Sequence, residues 1–307
     1  MTKNRTLIAS SHACLLLSCF FAVSACTQDP MRKMKSDAKK GLAGAQYSLG
    51  EAHSRGEGVH LDQEQATHWY RQAAEQGHMD AQYSLAEAYS RGEGVHLDQE
   101  QATHWYRQAA EQRHMDAQYE LGEAYHYGRG VEKDDVEAVT WWKKAAEQGH
   151  AEAQNSLGLV YRVGVGVPQN LLEATRWWKK AAEQGHAEAQ HSLGIAYAFA
   201  VGVGQNYSLA VHWYRKAAEQ GYAPAQFSLG FAYLGGEGVP QNYTKAYMWL
   251  SLAKAGEANL DLERREIVDA ALDMLTSDQL TLDQVTRAQA EALERWEEIE
   301  ARKAGQE

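Results

Sequence analysis

The sequence predicts an all-α chain, a right-handed α/α superhelical solenoid of helix-turn-helix repeats. Three observations predict it. The string AAEQGH or a close variant starts at Ala73, Ala109, Ala145, Ala181 and Ala217, a fixed period of 36 residues. Within each period, small and apolar residues recur at helical spacing in two blocks. Between the blocks stands a glycine-bearing stop followed by Asp or Asn. Self-similarity at such a period marks stacked helical hairpins, none of which can bury its apolar face alone. A stack presents many equivalent surface positions, which favours binding over catalysis.

The chain opens as an export signal. Lys3 and Arg5 form a charged start, Leu15 to Ala22 an apolar core, and Ser24 and Ala25 a small-residue cleavage site. Val23-Ser24-Ala25-Cys26 resembles the lipobox of bacterial lipoproteins. That resemblance implies a signal peptide over 1–25, lipidation (palmitate) at Cys26, and a membrane association through this anchor. Thr27 rather than Asp follows the cysteine, which implies an outer-membrane lipoprotein facing the periplasm. An ordinary cleaved signal and an uncleaved anchor are the alternatives, although a His and several Ser interrupt a segment barely long enough to span. Cys14 and Cys19 lie in the segment to be removed, so the mature chain has no disulfide and folds by packing alone.

Residues 26–44 read as the acylated cysteine, a tether and a partial N-terminal cap. Met31–Lys40 is basic and falls in the register of a missing second helix. Six units of 36 residues fill 45–260. In the first, Ala45–His53 is helix A, and Gly56-Glu57-Gly58 ends it because glycine tolerates the left-handed stop. Val59 plugs the loop. Asp62 starts helix B, and its column reads Asp98, Asp134, Asn170, Asn206 and Asn242, all side chains that cap free amides. Gln65, Gln101, Glu137 and Glu173 follow three residues later, which predicts a capping box in four copies. Ala66, Trp69, Tyr70, Ala73 and Ala74 give helix B one apolar stripe. Small residues (the Ala45 column) are expected opposite large ones: Trp69, Trp105, Trp141, Trp177, Trp213 and Trp249.

These columns resemble the Sel-one-like repeat family, a relative of the tetratricopeptide repeat. The match is carried by Ala153-Gln154, Leu157-Gly158, Tyr161, Gly164 to Pro168, Ala174, Trp177-Trp178 and Ala181 to Gly185, and it spans about 41–260. His53, Arg113 and Ala200 depart from it, at a Tyr and two Gly positions, and are expected to loosen local geometry. The first two units differ at three positions (Gly50/Ala86, His53/Tyr89, Gly77/Arg113), which suggests a recent duplication. Residues 261–307 read as capping helices. The first is amphipathic through Leu262, Ile267, Ala270, Ala271 and Met274. The second is capped by Thr276 or Ser277 and runs through Leu280, Val285, Leu293, Trp296 and Ile299.

On a helical wheel, positions 47, 48, 51, 54 and 55 of helix A share a face, and this face varies between copies. The column of 51 reads Glu51, Glu87, Glu123, Leu159, Ile195, Phe231. The column of 55 reads Arg55, Arg91, Tyr127, Val163, Phe199, Gly235. The resemblance to tetratricopeptide stacks implies that this face lines the concave groove. It runs polar in the first three repeats and apolar in the last three. Leu159, Val163, Ile195, Phe199, Phe227, Phe231 and Leu234 would form one apolar patch for a protein or peptide partner. The competing reading is that the C-terminal helices cover it.

Composition narrows the rest. Lys plus Arg is 30 and Asp plus Glu is 41, a net charge of −11. An acidic surface argues against nucleic acid and against a basic face for anionic lipid. The His78, His114, His150, His186 column cannot share one ion, because successive copies lie about 8–10 Å apart. Glu64 and His68, with the copy Glu100 and His104, are two ligands without a third. No metal and no cofactor are expected. Ser36-x-x-Lys39 and Ser251-x-x-Lys254 match a spacing found in penicillin-recognising enzymes but lack its partner motifs. Some cysteine-rich exported members of the repeat family are penicillin-binding, and their disulfides are absent here. The expectation is a non-catalytic interaction scaffold of the cell envelope. A factor that recognises a host protein and a β-lactamase-type envelope enzyme are the alternatives.

Overall fold

The computed structural model describes residues 30–256 and 260–305. The export signal and Cys26 lie outside the described residues. Within them are fifteen α-helices and no strand. Helix α1 is Pro30–Lys39. The A helices are α2 (Ala43–Arg55), α4 (Met79–Arg91), α6 (Met115–Tyr127), α8 (Ala151–Val163), α10 (Ala187–Ala198) and α12 (Ala223–Gly235). The B helices are α3 (Gln63–Glu75), α5 (Gln99–Glu111), α7 (Asp135–Gln148), α9 (Leu171–Glu183), α11 (Tyr207–Ala218) and α13 (Tyr243–Ala255). Helix α14 (Leu262–Met274), a π-helical turn (Leu275–Gln279) and α15 (Leu282–Ala304) follow. The chain divides into two units, one reaching Ala117 with Arg129–Val131, the other holding Gln118–Gly128 and everything from Glu132.

Every B helix starts on the predicted cap. The Asp62, Asp98, Asp134, Asn170, Asn206 and Asn242 side chains each accept the backbone N–H three residues on, at 2.9–3.1 Å. The predicted capping boxes do not form. Each cap's own N–H donates to a carbonyl near the end of the preceding A helix, as Asp62 does to His53 and Asn170 to Tyr161, at 2.8–3.0 Å. With that donor already satisfied, Gln65, Gln101, Glu137 and Glu173 have nothing to reach back for; Glu173 pairs with Arg176 instead.

Close approach between helices A and B depends on a different large column from the one expected. Tyr70, Tyr106, Trp142, Trp178, Tyr214 and Leu250 are buried, whereas Trp69, Trp105, Trp141 and Trp213 are half-buried and only Trp177 and Trp249 are buried among the tryptophans of the adjacent column. The buried column faces the small residues of helix A. A Cβ on Gly194 would stand 2.5 Å from the Tyr214 ring, and one on Gly50 2.6 Å from the Tyr70 ring. Two of the half-buried tryptophans carry lysines over their rings, Lys144 over Trp141 (3.4 Å) and Lys216 over Trp213 (4.6 Å).

Glutamines tie one hairpin to the next. In the first unit Gln82 is buried, donates to the Ala74 carbonyl (3.2 Å) and accepts from Gln112 (2.7 Å). In the second, Gln190 does the same with Ala182 (3.1 Å) and Gln220 (2.8 Å). A buried amide so satisfied on both ends costs little and fixes the register of its neighbours. Gln46 makes this bond to Ala38 of α1 (3.3 Å), so α1 occupies a B-helix position before the first repeat.

The loops need left-handed residues. Gly202 has φ +69° and sits on the first turn of α9, where a Cβ would collide with the Leu171 backbone. Two predicted departures keep this geometry rather than loosen it: Arg113 has φ +74° and Ala200 φ +57°. Side chains at such angles are strained. The C-terminal helices match the expected inward face at Ala271 and Ile299, with Leu280 and Val285 packed on the core, and differ from it elsewhere. Val268, Ala271, Leu275, Ala288, Ala292 and Ile299 are buried, while Leu262, Ile267, Met274, Leu293 and Trp296 face outward. Thr281, not Thr276 or Ser277, caps α15, in a full capping box with Gln284. The Thr276 and Ser277 hydroxyls donate back to α14 carbonyls. Helices α14 and α15 pack on α13.

Candidate functional site

In the second unit, α10, α11 and α12 enclose an open cleft of about 450 Å³. Ile195 and Phe199 come from α10 and its end, Phe227 and Phe231 from α12, and Tyr207 and Tyr214 from α11. Phe227 and Phe231 are one turn apart, with ring centroids 4.8 Å apart. Phe199 is 73% exposed, and Ile195, Phe227 and Phe231 are half-buried. Four of the seven predicted apolar residues thus share one cleft. Leu234 packs on the same core at its margin. Leu159 packs on the core of α9, and Val163 is 60% exposed; neither lines this cleft. The C-terminal helices contribute Arg264 to the rim and leave Phe199 open.

The cleft has a polar floor and rim. His191 is buried, and its Nε2 lies 3.0 Å from the Ser228 Oγ. Ser228 donates its own proton to the Pro224 carbonyl (3.0 Å), so His191 donates and Ser228 accepts. This is the wrong direction for a histidine that activates a serine. Burial, and secondarily the Arg264 guanidinium, pull the imidazole down to a pKa of about 4. Burial also raises the Tyr214 hydroxyl, and Tyr222 to about 12. The floor is therefore neutral at neutral pH, with Arg264 and Glu237 as its charged rim.

In the first unit the same positions, four repeats earlier in the chain, form a second cleft of about 230 Å³ with opposite chemistry. Glu51 stands in the column of Ile195, Arg55 in that of Phe199, Glu87 in that of Phe231, and Tyr70 in that of Tyr214. Glu51 pairs with Arg55 and Glu87 with Arg91, each at 2.5 Å, and the Tyr70 hydroxyl donates to Glu51 (2.6 Å). Glu123 is half-buried on α6.

The other candidates have structural roles. His78, His114, His150 and His186 each cap an A helix, accepting a backbone N–H at Nδ1 at 3.1–3.3 Å. His78 and His114 also stack on Tyr47 (4.8 Å) and Tyr83 (4.5 Å). Glu64, His68, Glu100 and His104 are exposed, and His68 contacts Gln72. Among the described residues no three metal-ligating side chains converge. Lys254 is paired with Asp269 at 2.5 Å, and neither it nor Ser36 and Lys39 lines either of these two clefts. No helix among the described residues is long and apolar enough to cross a membrane.

Sequence reading missed His191 as a floor residue and missed Arg264 and Glu237. His191 was visible as the one histidine in the column of Tyr47. Arg264 had no signal, because a residue of α14 reaches the cleft through packing rather than through the repeat.

A family model described as the Sel1 repeat matches six segments: 43–78, 80–114, 116–150, 151–186, 187–222 and 223–256. The chain belongs to the Sel1 repeat family. Sel1 repeat proteins are in general protein-interaction scaffolds, and the fold here is their α/α solenoid of helix-turn-helix repeats. A protective antigen of uropathogenic Escherichia coli with an SLR fold is 32% identical, with a TM-score of 0.72 over 87% of this chain and 65% of that one. This chain thus spans about two-thirds of that antigen's length. A Sel1 repeat protein from Oxalobacter formigenes is 34% identical, with a TM-score of 0.64 over 70% of this chain and 89% of that one. Curated proteins give no match.

Proposed function

We propose that this Sel1 repeat protein is a non-catalytic scaffold of the bacterial cell envelope that holds a protein or peptide segment on its helix-A face. The observation that carries this reading is the pair of equivalent clefts. They are lined from equivalent repeat positions and their lining is reversed, from Glu–Arg pairs to Ile195, Phe199 and Phe231. Equivalent positions with a changed lining suit recognition of different chemical groups in the two units. The apolar cleft falls within the range of about 300–1,000 Å³ that takes a ligand group. An apolar side chain of a partner fills it, while the Glu51–Arg55 and Glu87–Arg91 pairs of the first unit's own cleft suit a polar segment. Anchoring through Cys26 in the outer membrane is part of the proposal and is supported by the lipobox-like Val23 to Cys26.

A host-protein partner is the second reading. It is favoured by the similar Escherichia coli protein, which is described as a protective antigen. Phe199→Glu and Ile195→Glu test the cleft. Both variants should lose the partner that wild type co-purifies with, and both should unfold at nearly the wild-type temperature. Partner retention by both variants would remove the cleft from the interface. For the anchor, the mass of the N-terminal peptide decides. An acylated Cys26 is expected, and an unmodified one refutes it.

A further inference from the structure

We infer that α1 rests on an anionic lipid surface and turns its basic face toward it. This rests on the acylation of Cys26 proposed above. The chain as a whole is acidic, but its charge is segregated. Between Cys26 and Gly41 stand five basic residues (Arg32, Lys33, Lys35, Lys39, Lys40) and two acids (Asp29, Asp37), net +3; without Lys3 and Arg5 of the signal the total of −11 becomes −13, so the remainder of the processed chain carries −16. Folding places the basic residues on one side. Ala38 is buried and Met31 and Met34 are half-buried against the first repeat, while all five basic side chains are exposed. Asp37 is already paired with Lys40 at 2.9 Å. Lys35 opens onto a recess of about 630 Å³ shared with His53, His60 and Asp62, whose carboxylate is occupied in capping α3.

Position in the chain selects lipid over an acidic protein as the occupant. Three residues separate Cys26 from Pro30. Even fully extended, that stretch reaches only about 14 Å. An acyl chain buried at Cys26 therefore brings α1 to the headgroups, where an anionic leaflet attracts each Lys and Arg. The acidic remainder is repelled by the same leaflet. The net charge that argues against lipid binding by the molecule as a whole thus orients it, with α1 at the surface.

The full processed chain, recovered from membranes and carrying Lys33→Cys, would be placed in vesicles of phosphatidylcholine alone or mixed with phosphatidylglycerol. The rate of labelling by a bulky impermeant thiol reagent is the readout. Phosphatidylglycerol should slow labelling about tenfold at low salt. High salt, or Lys35→Glu with Lys39→Glu and Lys40→Glu, should restore the neutral-vesicle rate. These side chains are exposed, and circular dichroism checks the fold of the reversed variant. Equal rates in both vesicles would overturn the inference, provided the N-terminal peptide is acylated. Protection in native membranes without protection in phosphatidylglycerol vesicles would also overturn it, and would point to an acidic protein. An unmodified Cys26 would refute the anchor itself.

Discussion

His191 sits where the first three repeats carry tyrosine, and its burial makes the fold sensitive to pH. Its folded pKa of about 4 lies below the ordinary 6.5. The unfolded chain therefore binds more protons between those values, and stability falls as pH drops through that window and levels off below it. The gap corresponds to about 3 kcal/mol. His191→Phe, which copies Phe227 of the next repeat, should flatten this dependence. Denaturant unfolding of both proteins at about pH 7 and about pH 4.5 checks it, and an unchanged difference would refute the burial argument. Strain gives a second prediction at this scale. Arg113→Gly and Ala200→Gly should each raise stability by about 1 kcal/mol, because the positive φ angles then cost nothing. Thermal unfolding reads the shift; a loss of stability would mean that these side chains make compensating contacts.

Among the elements, the helix starts were legible because a short polar side chain before an apolar stripe has one good use. What the sequence could not show was the competitor for each cap's backbone N–H. That competitor is a carbonyl of the preceding helix, brought close by the fold. Asp134→Ala should therefore cost about 1 kcal/mol, while Glu137→Ala, the other half of the supposed box, should change stability by less than about 0.5 kcal/mol. Comparable losses from both would restore the capping box. The C-terminal helices were legible as helices but only partly in register. Ile267 and Met274 stand two turns apart just as the buried Val268 and Leu275 do, one residue later, so periodicity alone does not choose the inward face. The six-fold columns resolve that choice within the repeats, and α14 has no copies.

For the molecule as a whole, the repeat determines both fold and site. The apolar residues Ile195, Phe199, Phe227 and Phe231 were legible by comparing copies within one chain. Leu159 and Val163 belong to the same columns but lie outside the cleft, because a column gives a position on a helix and not the neighbours across it. Binding should depend on this cleft and on little of the B-helix surface. The most direct measurement is site-specific photo-crosslinking in living cells from position 231, with Glu75, exposed on α3, as the control. A discrete intermolecular adduct from position 231 and none from position 75 is the predicted result, and mass spectrometry of that adduct names the partner. Adducts confined to the chain's own residues 260–305, or equal adducts from both positions, would contradict a partner-binding cleft.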